Sequence, residues 1–202
     1  MRRRGGVAGT ATAVIAGLAL LAGCADDGRE LRPPSPDQTT TTATPAGTGD
    51  PGGTALLRLT SPALSEGQEV PTRHTCFGAD VSPELAWEGV PAGTAEIAVV
   101  VRDPDAGGFV HWVVAGLAPD AAGLDEGTVP AGAVEATNGF GEPGWRGPCP
   151  PEGTHRYDIR VYALAEPSGI AAETPGDEAA AAIESAPNHG SAALSVLASA
   201  PG

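Results

Sequence analysis

The residues best equipped for chemistry in this chain are acids and histidines set close to glycine and proline. Asp103, Asp105 and His111 fall within the stretch Arg102-Asp103-Pro104-Asp105-Ala106-Gly107-Gly108-Phe109-Val110-His111-Trp112. Carboxylate and imidazole side by side can exchange protons, ligate a metal or hold a small charged group. Short Val- and Ile-rich runs flank the stretch, Ile97 to Val101 before it and Val110 to Leu117 after it. Runs of that length read as strands. Asp-Pro and Gly-Gly between them read as a turn. The pattern thus sets two carboxylates and one imidazole at one sheet edge. On these eleven residues alone, a solvated hairpin tip is the simpler reading.

A second histidine lies at the start of the best strand pattern in the chain. His155, Tyr157, Ile159 and Val161 alternate with Arg156, Asp158, Arg160 and Tyr162, the period-two signature of a strand with unlike faces. Just before it, residues 138–153 hold five glycines and four prolines, which makes a long loop of the kind that is usually functional or disordered. Phe140 and Trp145 within it argue for order, because such rings seldom stay solvated near a core.

These elements belong to a folded unit over 55–202. Strands are expected at 55–60, ending at Trp87, at 95–102, 109–117, 132–137 and 154–164. Helices are expected at 175–185 and 190–199. Many strands followed by helices make a mostly β domain with peripheral C-terminal helices, not an alternating α/β wind. Trp87, Trp112 and Trp145 read as packing residues. His74 and His189 read as surface residues, and Arg156 as a structural partner for a carboxylate.

The N-terminus is organised differently. Arg2, Arg3 and Arg4 precede an uncharged stretch whose apolar part, roughly 13–22, is short for a membrane span, as in an export signal. It ends in Leu21-Ala22-Gly23-Cys24, which resembles a bacterial lipobox. That resemblance implies cleavage before Cys24 and acylation of its thiol and amine, palmitate among the acyl groups. Membrane attachment on the extracytoplasmic face would follow. Residues 25–54, rich in Pro, Thr and Gly, cannot bury enough apolar surface to fold. They read as a disordered tether reaching roughly 30 Å. Losing the three leading arginines leaves eight against 25 acids, net −17, which argues against nucleic acid as a partner. With Cys24 assigned to lipid, Cys76 and Cys149 remain as an even pair, for which a structural disulfide is the better reading in an oxidising compartment.

Four segments together resemble the phosphatidylethanolamine-binding protein family, in particular its bacterial Raf-kinase-inhibitor-like branch. They are Thr75-Cys76, Gly78, Asp80, Ser82-Pro83, Leu85 and Trp87; then Asp103-Pro104-Asp105-Ala106 with Phe109-Val110-His111-Trp112-Val113; then Asn138, Phe140-Gly141, Gly144 and Gly147-Pro148-Cys149-Pro150-Pro151; and last Gly153, His155-Arg156-Tyr157 and Tyr162. Gly107 departs from the family's usual proline. His74 and Phe77 stand where the bacterial branch tends to have Tyr and Asp, and the C-terminal segment matches poorly. The resemblance implies an antiparallel β-sandwich with a small pocket lined by Asp103, Asp105, Phe109, His111, Gly147, Pro148, His155 and Tyr157. Such pockets take phosphate, acetate or phospho-head-groups, without catalysis and without a cofactor. Backbone N–H groups and two imidazoles would hold an anion, with the carboxylates orienting the rings and raising their pKa. Two alternatives stay open: a metal-dependent hydrolase using His111, His155, Asp103 and Asp105, and a regulator of a protein partner. Neither H-E-x-x-H nor G-x-S-x-G occurs in the sequence to support the enzyme.

Overall fold

The computed structural model describes residues 56–202. The expected export signal, the lipobox-like segment with Cys24 and the expected tether lie outside the described residues. The described residues form two antiparallel sheets and one α-helix. β1 (Arg58–Thr60), β2 (Leu85–Glu88) and β5 (Gly123–Leu124) make the smaller sheet, in the order β1-β2-β5. The larger sheet runs β6-β4-β3-β7-β8, from β3 (Glu96–Asp103), β4 (Phe109–Leu117), β6 (Val134–Glu135), β7 (Thr154–Leu164) and β8 (Asn188–Ser199). Helix α1 (Gly176–Ser185) packs on its outer face.

This layering explains why β3 is apolar without interruption from Ile97 to Val101. Ile97, Val99 and Val101 join a core with Leu59, Leu85 and Trp87 of the small sheet, while Ala98 and Val100 face Ala179, Ala180 and Ile183 of α1. A central strand covered on both faces has no solvent side to carry polar residues.

The expected strands at 95–102, 109–117 and 154–164 form within a residue or two, as does the helix at 175–185. The expected strand at 132–137 shrinks to two residues. β5 carried too little apolar pattern to be foreseen. The helix expected at 190–199 is instead β8, paired with β7 along its whole length from Leu164↔Asn188 to Thr154↔Ser199. Its alanines and leucine are good helix formers, but Leu194, Val196 and Ala198 alternate into the inter-sheet core. Burial on period two outweighs that weak propensity. The domain is mostly β, with one helix rather than two.

Cys76 and Cys149 meet with their Sγ atoms 2.07 Å apart and their Cα atoms 5.4 Å apart, joining the loop before β2 to the loop before β7. His74 is a correction. Expected at the surface, it is 1% exposed, because the 3₁₀ turn Thr72–His74 is tucked beneath the 144–149 loop. Its Nδ1 donates to the Val81 carbonyl at 2.8 Å.

Candidate functional site

The β3–β4 hairpin delivers two of the site residues. Asp103 ends β3 and caps the 3₁₀ turn Pro104–Ala106, its Oδ1 accepting the Ala106 N–H at 2.9 Å. Proline inside that turn is tolerated, since its missing N–H would lack a partner in the first turn. Gly107, at φ +70°, turns the chain back in a conformation that suits glycine. The expected turn is therefore real, but it closes a hairpin in the middle of the five-stranded sheet, not at its edge.

His111 owes its direction to an irregularity. Val101 pairs with Trp112 and Arg102 with Val110, so His111 is an extra residue with no partner on β3. A bulge of this kind bends the strand and re-aims one side chain. His111 is 3% exposed, and its Nδ1 donates to the Arg146 carbonyl at 2.7 Å. Its ring meets Tyr157 edge-on at 5.1 Å and Phe109 at 5.3 Å.

Strand β7 supplies the remaining groups. Arg102 pairs with Asp158, so Asp103 lies one step further on, level with the start of β7. There His155 Nδ1 donates to Asp103 Oδ2 at 2.8 Å. The His155 ring stacks alongside Tyr157 at 6.5 Å. Tyr157 thus stands between the two imidazoles, with its hydroxyl buried beside the Asp103 carboxylate. Phe140 flanks Phe109 at 4.9 Å and His111 at 5.7 Å, yet remains 46% exposed. This ring forms a rim instead of the packed anchor that the loop composition suggested.

Burial dominates the electrostatics. It lowers the His111 pKa, and the Arg146 carbonyl and the Asp103 charge offset this only in part. The expected upward shift is reversed at this residue, because a ring sealed among Tyr157, Phe109 and Phe140 loses more hydration than one carboxylate restores. Burial and the Asp103 charge push the Tyr157 hydroxyl well above its ordinary range, so it stays a donor.

The other expected residues sit close by in supporting positions. The Asp105 carboxylate accepts the Arg156 N–H at 2.7 Å and thereby ties the hairpin turn to β7. The Gly147 N–H donates to Asp80 Oδ1 at 2.7 Å, and a Cβ at Gly147 would come within 2.2 Å of the His74 carbonyl oxygen. Pro148 accepts the Cys76 N–H at 3.1 Å. The N–H groups of Ala106, Gly147 and Arg156 are all held by Asp side chains. These three backbone donors are therefore not available to an anion, contrary to the expectation. Arg156 contacts Asp158 at 3.5 Å, the carboxylate partner expected of it.

Arg146 is the residue that the pattern of acids and histidines passed over. Its carbonyl fixes His111, and its guanidinium lies 5.4 Å from the centre of Phe140 and 3.3 Å from Asp80 Oδ2. Only its place in the Gly/Pro loop hinted at this. Among the described residues no three His, Cys, Asp or Glu converge as a metal site, and Asp103 is already engaged by His155 and Ala106. A separate cavity of about 600 Å³ opens behind Phe109, where the start of α1 meets the 106–109 turn. Two of its polar liners are taken up elsewhere, Arg102 by Glu184 and the Gly108 carbonyl, Asn138 by the Gly144 carbonyl.

Known proteins resemble this chain in sequence and fold. Residues 60–197 match the family model described as phosphatidylethanolamine-binding protein. The chain is 41% identical over 184 residues to "Putative lipoprotein LppC" of Mycobacterium tuberculosis, covering 87% of this chain and 89% of the relative. It is 40% identical over 127 residues to the UPF0098 protein YbcL of Escherichia coli, covering 54% of this chain and 69% of that protein. The crystal structure of E. coli YbcL, described as a member of the mammalian PEBP family, superposes with a TM-score of 0.68 at 30% identity, covering 73% of this chain and all of that one. With the family model matched over more than half its length, this chain belongs to the phosphatidylethanolamine-binding protein family.

Proposed function

We propose that the domain is a non-catalytic binding module whose Asp103–His111–His155–Tyr157 cluster holds a small anion or phospho-head-group, and that it is tethered to the outer face of the membrane through Cys24. The observation that carries the pocket is the meeting of segments far apart in sequence. Asp103 and His155 are 52 residues apart in the chain and 2.8 Å apart in space, with the buried Tyr157 hydroxyl and the His111 ring against them. The half-exposed Arg146 guanidinium adds positive charge at the rim. Phosphoethanolamine titrated into the purified domain should shift the NMR resonances of His111, His155 and Tyr157. His155→Ala should weaken its binding at least tenfold while leaving the fold intact. Unchanged resonances at all three residues would overturn the pocket.

The lipid anchor is supported by the lipobox-like Leu21-Ala22-Gly23-Cys24 and by similarity to a relative whose name refers to a lipoprotein. That similarity covers 87% of the chain, more than residues 56–202 alone can supply, and so reaches into the N-terminal segment. In a bacterial host, Cys24→Ser should move the protein from the membrane fraction to the medium or the soluble envelope fraction. Retention in the membrane would count against acylation at that residue.

A further inference from the structure

We propose that Asp80 is a positioning residue of the binding site: acting through the single peptide bond between Arg146 and Gly147, it sets the orientation of the His111 imidazole and the nitrogen that carries its proton. This control of His111 needs no ligand. Its consequence for binding rests on the pocket reading above.

Asp80 stands apart first by its backbone. Among the described residues it is the one non-glycine with a positive φ, at 55°. Aspartate visits that region more readily than most residues, and a residue held there by its surroundings points to a task. Its carboxylate meets the 146–147 segment, with Gly147 lying 67 positions further along the chain. Oδ1 accepts the Gly147 N–H at 2.7 Å, and Oδ2 lies 3.3 Å from Arg146 Nε.

The Gly147 N–H and the Arg146 carbonyl belong to one peptide unit. Such a unit is planar and trans, so its N–H and C=O point in opposite directions. With the N–H drawn to Asp80, the carbonyl is turned the other way, and there it accepts His111 Nδ1 at 2.7 Å. A carbonyl oxygen only accepts, which places the His111 proton on Nδ1. An ionised acceptor holds an N–H more strongly than a neutral one, and hydrogen bonds in series polarise one another. The Arg146 N–H adds a second tie by donating to the His111 carbonyl at 3.2 Å. Glycine is required at 147 for this approach, because a Cβ there would come within 2.8 Å of Asp80 Oδ1. Burial lowers the pKa of the His111 ring, and the Arg146 carbonyl, the Asp103 charge, the Gly147 backbone and the Asp80 charge oppose it in that order. Asp80 thus reaches this ring electrostatically as well as through the peptide. Each imidazole of the site has its own aspartate: Asp103 holds His155 directly at 2.8 Å, and Asp80 holds His111 across one peptide bond.

Long-range ¹H–¹⁵N correlation spectra of the unliganded protein show which ring nitrogen of His111 carries the proton, a property that a merely structural carboxylate would leave unmoved. Wild type should show the Nδ1–H form. Asp80→Asn keeps an oxygen for the Gly147 N–H and a residue type that tolerates positive φ, so His111 should remain Nδ1–H. Asp80→Gly suits the backbone and removes both carboxylate oxygens. His111 should then become a mixture of Nδ1–H and Nε2–H forms, while His155, held by Asp103, keeps its wild-type signals and reports an intact fold. A folded glycine variant with His111 purely Nδ1–H would overturn the inference, and so would loss of that form in the asparagine variant. Should the glycine variant not fold, through-hydrogen-bond scalar couplings in the wild type decide. Gly147 ¹⁵N should couple to the Asp80 carboxylate carbon and His111 Nδ1 to the Arg146 carbonyl carbon; absence of either coupling would overturn the relay. Calorimetric titration with phosphoethanolamine carries the test to binding. Asp80→Gly should weaken it about fivefold or more, with Asp80→Asn close to wild type, because a site group loses its aim when its support is removed. Equal affinity of wild type and the glycine variant would overturn the role of Asp80 in the site. If wild type does not bind phosphoethanolamine, the pocket reading falls, and the spectra alone decide whether Asp80 sets His111.

Discussion

Asp103 can be tested by comparing two substitutions that differ in one property. Its side chain is almost fully buried and accepts two hydrogen bonds, from the Ala106 N–H at 2.9 Å and from His155 Nδ1 at 2.8 Å. Asp103→Ala removes both acceptors. Ala106 is exposed, so its N–H can turn to water at small cost. His155 is 18% exposed at its side chain and loses a hydrogen bond to a charged partner, a class of interaction with a net contribution of about 1.5–3 kcal/mol. With a small cavity added, the expected loss is about 2–4 kcal/mol. Asp103→Asn keeps the shape and an acceptor for Ala106, and presents an N–H to His155 Nδ1 in place of an oxygen. The imidazole can answer by shifting its proton to Nε2, so the expected loss is only about 1 kcal/mol. Urea unfolding at pH 7, followed by fluorescence of Trp87, Trp112 and Trp145, measures both variants. Similar m values would show that the same surface is exposed on unfolding. If alanine falls within 0.5 kcal/mol of wild type, or asparagine costs as much as alanine, Asp103 does not act through these two bonds.

Three further outcomes follow from the geometry. Replacing Cys76 and Cys149 together by serine releases a loop with a sequence separation of 73 residues, and should lower stability by roughly 4 kcal/mol in urea unfolding. Gly147→Ala forces a Cβ to within 2.2 Å of the His74 carbonyl oxygen and 2.8 Å of Asp80 Oδ1, so a loss of about 1–3 kcal/mol is expected, measured in the same way. The lowered His111 pKa means that the unfolded chain binds the extra proton first as pH falls. The stability from its neutral form is complete above the unfolded value of about 6.5 and declines from there down to the lower folded value, by at most about 1.4 kcal/mol per pH unit. Urea midpoints of wild type and His111→Phe should therefore converge between pH 7.5 and pH 5, and parallel profiles would refute the shift.

Period-two alternation and uninterrupted valine runs made β3, β4 and β7 legible, because a strand buried on one face or two must place its apolar residues accordingly. Asp-Pro and Gly-Gly marked the hairpin turn, and the two cysteines marked a pair. By itself the sequence therefore determined the central strands, the turn between them and the set of chemical groups available at one end of the sheet. It misled at β8, where alanine content masked the alternation of Leu194, Val196 and Ala198, and at His74, whose burial depends on a loop 70 residues away. Only the tertiary structure decided which atoms of the site are free. The Arg146 carbonyl that fixes the His111 proton and the aspartates that occupy the N–H groups of Gly147 and Arg156 are contacts between segments distant in the chain. A residue's type states what it can donate or accept. Whether that capacity remains for a ligand depends on its neighbours in space, and those are set by packing.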